Sequence, residues 1–235
     1  MNDRVKLIGY PRGASPFDFS PFVAKVETYL QLAQIPYEVR AGNPRKSRKS
    51  KLPVLVDSDG TRIVDSQFII EHLKRTRGDM LDGDLDAAAR ARLHPIRRLF
   101  EESFYWALIQ SRWLDEPTWQ KLRVHLFGTL PVPLKWIVPV LARRRARKQL
   151  HAQGYGRHSP EELKQIARDD LDAMVAQLGS APFFGGDRPR SIDATAYGFL
   201  VNLIHPPFKT WLGEMARTYA PLVAYVERME MFLKR

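Results

Sequence analysis

Apolar positions in the first 80 residues of the chain recur with two different periods. Residues 4–10, RVKLIGY, place Leu7 and Ile8 in a short run ended by Gly9, which reads as a strand. From Pro21 the spacing widens to a helical one. Val23, Val26 and Leu30, with Phe22, Tyr29 and Ala33, make an apolar stripe, Pro21 suits a first helical position, and Ser20 stands as the N-cap. Residues 35–41, IPYEVRA, return to a strand. Residues 51–73, KLPVLVDSDGTRIVDSQFIIEHL, then hold strand, turn, strand and helix in one stretch. LPVLV is a β-branched run opened by Pro53, Asp59-Gly60 is a hairpin turn, TRIV is the returning strand, and Phe68, Ile69 and Leu73 begin a helical stripe. Asp65 and Ser66 fall at that helix's N-terminus, where free N–H groups and the positive end of the helix dipole suit a carboxylate ligand.

Beyond residue 78 the alternating pattern does not return. GDMLDGD, residues 78–84, has the glycine and aspartate content of a linker, so residues 1–78 and 85–235 are expected as two domains, the second all-helical. The thirty residues after it are rich in strong helix formers and hold one proline, Pro95, which should kink or split the helix. Residues 127–158 are apolar in the first half and strongly basic in the second, with Pro139 between. Positions 134, 138, 141, 145 and 148 share a helical face, so polarity changes along the axis rather than around it, unlike a helix lying in a membrane plane. The expectation is a helical hairpin packed at its apolar end, with a solvated basic end. Ser159-Pro160-Glu161-Glu162 opens a further helix, and the last helix, from Pro221, should pack through Leu222, Val223, Val226, Met229 and Phe232.

Composition narrows the chemistry. There is no cysteine among the 235 residues, which removes thiol nucleophiles, disulfides and cysteine-based metal sites. The six histidines are scattered, so no metal site is expected. The amino terminus lacks the pattern of a signal peptide and no run of 18 apolar residues occurs, so a cytoplasmic location is expected. The formal net charge of +11 gathers in two clusters, one over Arg45, Lys46, Arg48, Lys49 and Lys51 and the other over residues 143–148. Neither lies in a recognisable nucleic-acid-binding motif with interleaved aromatics, and nucleic acid is not expected as a partner. The 143–148 cluster could instead meet a protein partner or an acidic membrane surface.

The Leu-Pro-Val-Leu strand, turn, second strand and Asp-Ser helix opening resemble the glutathione-site half of the thioredoxin-like domain in glutathione S-transferases. The resemblance implies an α/β thioredoxin-like amino-terminal domain, βαβ-ββα with a mixed four-stranded sheet, followed by an all-α carboxy-terminal helical domain. It also implies a cis Pro53, with Leu52 pairing through its backbone to the cysteinyl part of glutathione, Asp65 and Ser66 holding the γ-glutamyl end, and Lys49 or Lys51 meeting the glycine carboxylate. Ser-Pro-Phe at the first helix resembles the catalytic position of serine-type members, where Ser20 would donate a hydrogen bond to the glutathione sulfur. Tyr10, at the end of the first strand, is the tyrosine-type alternative, and a plain N-cap role for Ser20 stays open. Phe17, Phe104 and Tyr105 are the candidates for a second-substrate pocket that takes a small hydrophobic electrophile.

Phe-Phe-Gly-Gly-Asp-Arg-Pro, followed by Asp193-Ala194 before a buried helix, resembles the capping segment of the transferase helical domain, with Ser191 as the expected cap because Arg190 occupies the usual Ser/Thr place. These features together are similar to the failed-axon-connections and metaxin-like branch, which implies either a transferase, commonly a homodimer, or a non-catalytic adaptor of the same fold.

Overall fold

The computed structural model describes residues 4–12, 15–206 and 208–234; Gly13 and Ala14 of the first loop, and residues 1–3, 207 and 235 of the expected domains, lie outside the described residues. The first part runs β1 (Val5–Gly9), α1 (Pro21–Leu32), β2 (Tyr37–Ala41), β3 (Val54–Val56), β4 (Arg62–Val64) and α2 (Ser66–Arg77). The sheet order is β2-β1-β3-β4, with β1 parallel to β2 and antiparallel to β3, and β3 antiparallel to β4. It is the expected mixed four-stranded sheet. Val5 and Leu7 point from β1 into a core shared with Val23, Val26, Leu30, Leu55, Ile69 and Leu73. The basic connector holds one 3-10 turn, Pro44–Lys46, with Asn43 accepting from the Arg45 N–H.

The helical part runs α3 (Ala87–Arg98), α4 (Tyr105–Trp113), α5 (Glu116–Phe127), α6 (Leu134–Gln153), α7 (Pro160–Leu178), α8 (Ser191–Ile204), α9 (Trp211–Arg217) and α10 (Ala220–Leu233). Pro95 lies inside α3, and the helix slips into a π turn over Leu99–Phe104 before α4 resumes. Proline supplies no N–H to the preceding turn, and wider turns of this kind commonly sit at functional positions. Here the π turn delivers Glu101 to the buried ammonium of Lys25 on α1, at 2.6 Å, while Arg97 pairs with the other Glu101 oxygen at 2.9 Å. Lys25 also donates to Gln67, in the first turn of α2, at 2.9 Å. One buried cation thus ties α1, α2 and the helical part together.

α1 is buried on nearly all sides because the sheet covers one face and α8 covers another. Gly198 permits that approach. A Cβ there would sit 2.6 Å from the Lys25 nitrogen and 2.8 Å from the Pro21 carbonyl oxygen, so the two helices meet backbone to backbone.

Three expectations need correction. Ser191 is not the cap of α8 but its first residue, and its hydroxyl donates to Asp82 in the linker. The Arg190 N–H donates to the Asp193 carboxylate at 2.9 Å, so the returning half of a capping box forms without a capping hydroxyl, and the Arg190 guanidinium is drawn instead to Asp84 and the Leu81 carbonyl. Phe232 packs only in part, its ring meeting Phe183 edge-on at 6.0 Å while 40% of the residue stays exposed. The largest departure is α6. Its apolar half is the exposed half, with Trp136 58% and Ile137 50% exposed. Packing comes from the other end: Ala146 and Leu150 are buried, and Arg143 binds the Trp113 carbonyl at 2.9 Å and Glu116 at 2.7 Å. The hairpin made by α5 and α6 rests on the rest of the helical part through α5, whose Trp119 and Leu122 are buried with Phe208, and through the far part of α6, and it leaves the α6 side of its tip uncovered.

Candidate functional site

Two helix N-termini form the site. At the first, the Leu52–Pro53 peptide is cis and both residues are buried, but the sheet ladder begins only at Val54, paired with Ile8 and Val64, which leaves the Leu52 backbone outside it. Asp65 caps α2 by accepting from the Gln67 N–H at 3.1 Å. It does so at φ +88°, a conformation that costs a non-glycine residue about 1–3 kcal/mol and is concentrated at ligand clamps and active sites. Ser66 is the first residue of α2 and is buried, and its hydroxyl has no protein partner among the described residues. Lys49 reaches this corner from the connector, 3.9 Å from the Asp65 carboxylate and over the Phe68 ring at 4.5 Å. Lys51 is exposed and makes no such contact. Of the two lysines, only Lys49 is brought to the helix end.

At the second N-terminus, Ser20 occupies the cap position of α1 with no side-chain cap bond, so its hydroxyl is not engaged by the helix. What holds it is Asp18. One Asp18 oxygen accepts the Ser20 N–H at 2.8 Å and the other accepts the Tyr10 N–H at 2.7 Å, so a single carboxylate brings the two thiolate-stabiliser candidates to one point. Gly9 makes room for it, since a Cβ there would lie 2.5 Å from that oxygen. Burial pushes the Asp18 carboxyl up to about 6, against the two N–H bonds and Arg12. Tyr10 is likewise raised, by burial first and by Asp18 second, with the Arg145 guanidinium of α6 opposing. The Tyr10 hydroxyl therefore stays protonated and available as a donor.

The helical part pins the same loop from the other side. Arg112 of α4 is 2% exposed and stacks on the Phe19 ring at 3.8 Å. It donates to the Phe19 carbonyl and to the Asn202 carbonyl, each at 2.9 Å. Asn202 of α8 in turn donates to the Asp18 carbonyl at 3.2 Å. No carboxylate neutralises Arg112 among the described residues, and burial lowers its guanidinium to about 9. Phe17 is half-buried against the helical core and Tyr105 is half-buried with its ring 5.1 Å from Phe22. Burial raises the Tyr105 phenol to about 12, and the charges of Tyr10 and Arg112 act on it, which places it beside the Ser20 end of the site. Phe104, by contrast, ends the π turn fully buried against Phe100 in the helical core, so it has no surface to offer a second substrate.

Asp18, Arg112 and Asn202 were missed by sequence reasoning. Asp18 carried a faint signal, an Asp two residues before a Ser-Pro helix start, within a loop that otherwise read as plain turn chemistry. Asn202 is the single polar residue of the apolar run FLVNLI, a pattern that marks burial without naming the partner, whereas Arg112 follows Gln110 and Ser111 in WALIQSRWL and carries no such mark.

A thioredoxin-like sheet unit with two open helix N-termini, backed by a helical part, is the architecture of a glutathione transferase. The Glutathione S-transferase N-terminal domain family matches residues 21–118 and the Glutathione S-transferase, C-terminal domain family matches residues 167–229; the chain belongs to the glutathione S-transferase family. It is 36% identical over 232 residues to an isoprene-epoxide–glutathione S-transferase of Rhodococcus sp. (strain AD45), covering 96% of this chain and 97% of the relative. It is also similar to Failed axon connections of Drosophila melanogaster, 28% identical over 97% of this chain and 57% of the relative, and to Metaxin-1 of Mus musculus, 31% identical over 76% and 59%. Among solved structures, a glutathione S-transferase of Ceriporiopsis subvermispora in complex with glutathione matches with a TM-score of 0.67 at 17% identity, over 98% of this chain and 96% of that one, a likeness of fold. The metaxin-like branch read from the sequence is supported by these relatives.

Proposed function

We propose that this chain is a glutathione transferase. Glutathione lies against Leu52 and Pro53, its γ-glutamyl end on Asp65 and Ser66 and its glycine carboxylate toward Lys49, with Lys51 the more distant alternative. Ser20, or Tyr10 beside it, donates a hydrogen bond to the sulfur and favours the thiolate, whose formation from a free thiol of pKa about 8.5 is the step to be assisted. The observation that carries the reading is the pair of uncommitted serine hydroxyls, Ser20 and Ser66, at the N-termini of α1 and α2, helices joined by the Lys25–Gln67 bond. The thiolate then attacks a carbon of a small hydrophobic electrophile against Phe17 and Tyr105. The relative named for an isoprene epoxide supports an epoxide as that electrophile: the C–S bond forms as a ring C–O bond breaks, and the alkoxide takes a proton from solvent. The reading includes a cytoplasmic homodimer with domains near residues 1–78 and 85–235.

The second reading is a non-catalytic adaptor, favoured by the uncovered α6 and by the similarity to Failed axon connections and Metaxin-1. Calorimetric titration with glutathione separates the two. Saturable binding that is weakened by Ser66→Ala, with thiolate absorbance of the bound tripeptide lost in Ser20→Ala or in Tyr10→Phe, is the expected result. No binding at millimolar glutathione refutes the transferase reading.

A further inference from the structure

The α5–α6 hairpin carries a feature that glutathione chemistry does not use. Val132, Leu134, Trp136, Ile137, Val140 and Leu141 are all exposed, six of the eleven large apolar side chains found exposed among the described residues, gathered within ten positions. Residues 131–137 are exposed without interruption and include one charge, Lys135. Behind this tip the helix becomes basic. Arg144, Arg145, Arg147 and Lys148 are exposed, and none has a carboxylate within ion-pair distance among the described residues; Arg143 alone is committed, to Glu116. The chain's acids avoid the region altogether. Residues 117–160 hold nine Lys and Arg and no Asp or Glu, so this stretch supplies most of the net charge of +11.

We propose that the hairpin tip enters an anionic lipid bilayer end-on. The polarity of α6 runs along its axis, which does not suit a helix lying flat but does suit one that dips its end into a leaflet with a basic collar at the phosphate level. The entry is shallow: from Leu134 to Ile137 the uninterrupted exposed end of α6 is three helical steps, about 5 Å, because Pro139 is buried and Leu126 and Phe127 of α5 pack on the cluster of Trp119, Leu122 and Phe208. The absence of acids over 44 residues sets the sign of the partner surface as negative. This inference does not depend on glutathione binding, and its test does not measure it.

The chain has no cysteine, so Ile137→Cys and, separately, Arg147→Cys each provide one labelling site for an environment-sensitive fluorophore. The full chain is floated with phosphatidylcholine vesicles with and without phosphatidylglycerol. Binding only to the anionic vesicles is expected, weakened by high salt. The label at 137 should move to the blue and be quenched by brominated lipids, and the label at 147 should not. Arg144→Ala with Arg147→Ala should lower partition by about 25-fold, about fivefold for each cation. Trp136→Ser with Ile137→Asp, both at exposed positions, should abolish binding while circular dichroism and thermal melting stay unchanged. The proposal is overturned by absence of flotation at low salt, by flotation that survives the tip substitutions, or by equal quenching at 137 and 147, which means a helix lying flat. It is also overturned if Ile137→Asp instead dissolves a concentration-dependent dimer in the absence of lipid affinity.

Discussion

Replacing Asp18 by Asn tests whether this buried carboxylate organises the site. In the native chain it accepts both the Tyr10 and the Ser20 N–H groups, and burial raises its carboxyl from 3.8 to about 6. That shift corresponds to a preference of roughly 3 kcal/mol for the protonated form in the fold. The sign follows from linkage. A group whose folded pKa is raised contributes stability that is fully present below its unfolded pKa near 4 and is lost as pH rises through 6. Asp18→Asn has no such slope. Asparagine keeps one acceptor oxygen but presents an amide NH2 to the second N–H, whereas either oxygen of the neutral carboxyl can accept, so one hydrogen bond is lost and one partly buried N–H is left unpaired, at a cost of about 1–3 kcal/mol. Near pH 4.5 the variant should therefore be clearly less stable than the native protein. By pH 7.5 the gap should narrow by about 2 kcal/mol, because the native chain then bears a buried charge that the variant lacks. Urea unfolding of both proteins across that range measures the difference, and comparison with the native chain cancels the slopes of the other buried acids, Asp170 and Asp193, which are also raised to about 6. Parallel stability profiles for the two proteins would refute the assignment of Asp18 as a desolvated carboxylate.

Arg112→Met removes the donors to the Phe19 and Asn202 carbonyls and leaves both acceptors in the interior, so a loss of about 3–5 kcal/mol is expected in urea unfolding. Arg112→Lys should not restore it, because an ammonium cannot span both acceptors and stack on Phe19 together. Gly198→Ala places a methyl against the backbone of Lys25 and Pro21 and should cost at least about 2 kcal/mol by thermal denaturation, opposite to the usual gain of alanine over glycine within a helix. Lys25→Met alone leaves the Glu101 carboxylate buried with Arg97 as its one remaining cation, and should cost about 3 kcal/mol or more. Lys25→Met combined with Glu101→Leu should recover much of this in a double-mutant cycle.

The strands, their succession and the Asp65-Ser66 helix opening were legible because each rests on local pattern: a β-branched run, an Asp-Gly turn and a change of period within 23 residues. The cis Leu52–Pro53 bond followed from the family resemblance alone. What could not be read depends on contacts between distant segments. Asp18 and Asn202 are 184 positions apart, and the register slip that buries Phe104 arises several residues beyond the proline that precedes it. For α6 the pattern was legible and the inference from it was wrong. An apolar end was expected to find a core, but the half that packs buries Ala146 and Leu150 and is held by Arg143 through backbone carbonyls and Glu116, and those polar ties are not encoded in hydrophobicity.

The buried polar contacts that join the two halves are unequally distributed over the site. The Ser66 end is held by its own hairpin and helix, through β3, β4 and the Asp65 cap, with one link to the helical part, Lys25 bridging Gln67 and Glu101. The Ser20 end is held by α4 and α8, through Arg112 on the Phe19 carbonyl and Asn202 on the Asp18 carbonyl, with Gly198 setting how closely α8 approaches α1. A chain could thus keep the N-terminus of α2 intact while losing the geometry around Ser20 through changes more than ninety residues away, in the helical part. In this chain, therefore, the sheet unit speaks for the fold, whereas the Arg112–Asn202–Asp18 chain of hydrogen bonds sets the position of the loop that carries Ser20. Here that chain is complete, so the loop that carries Ser20 is fixed from both the sheet side and the helical side.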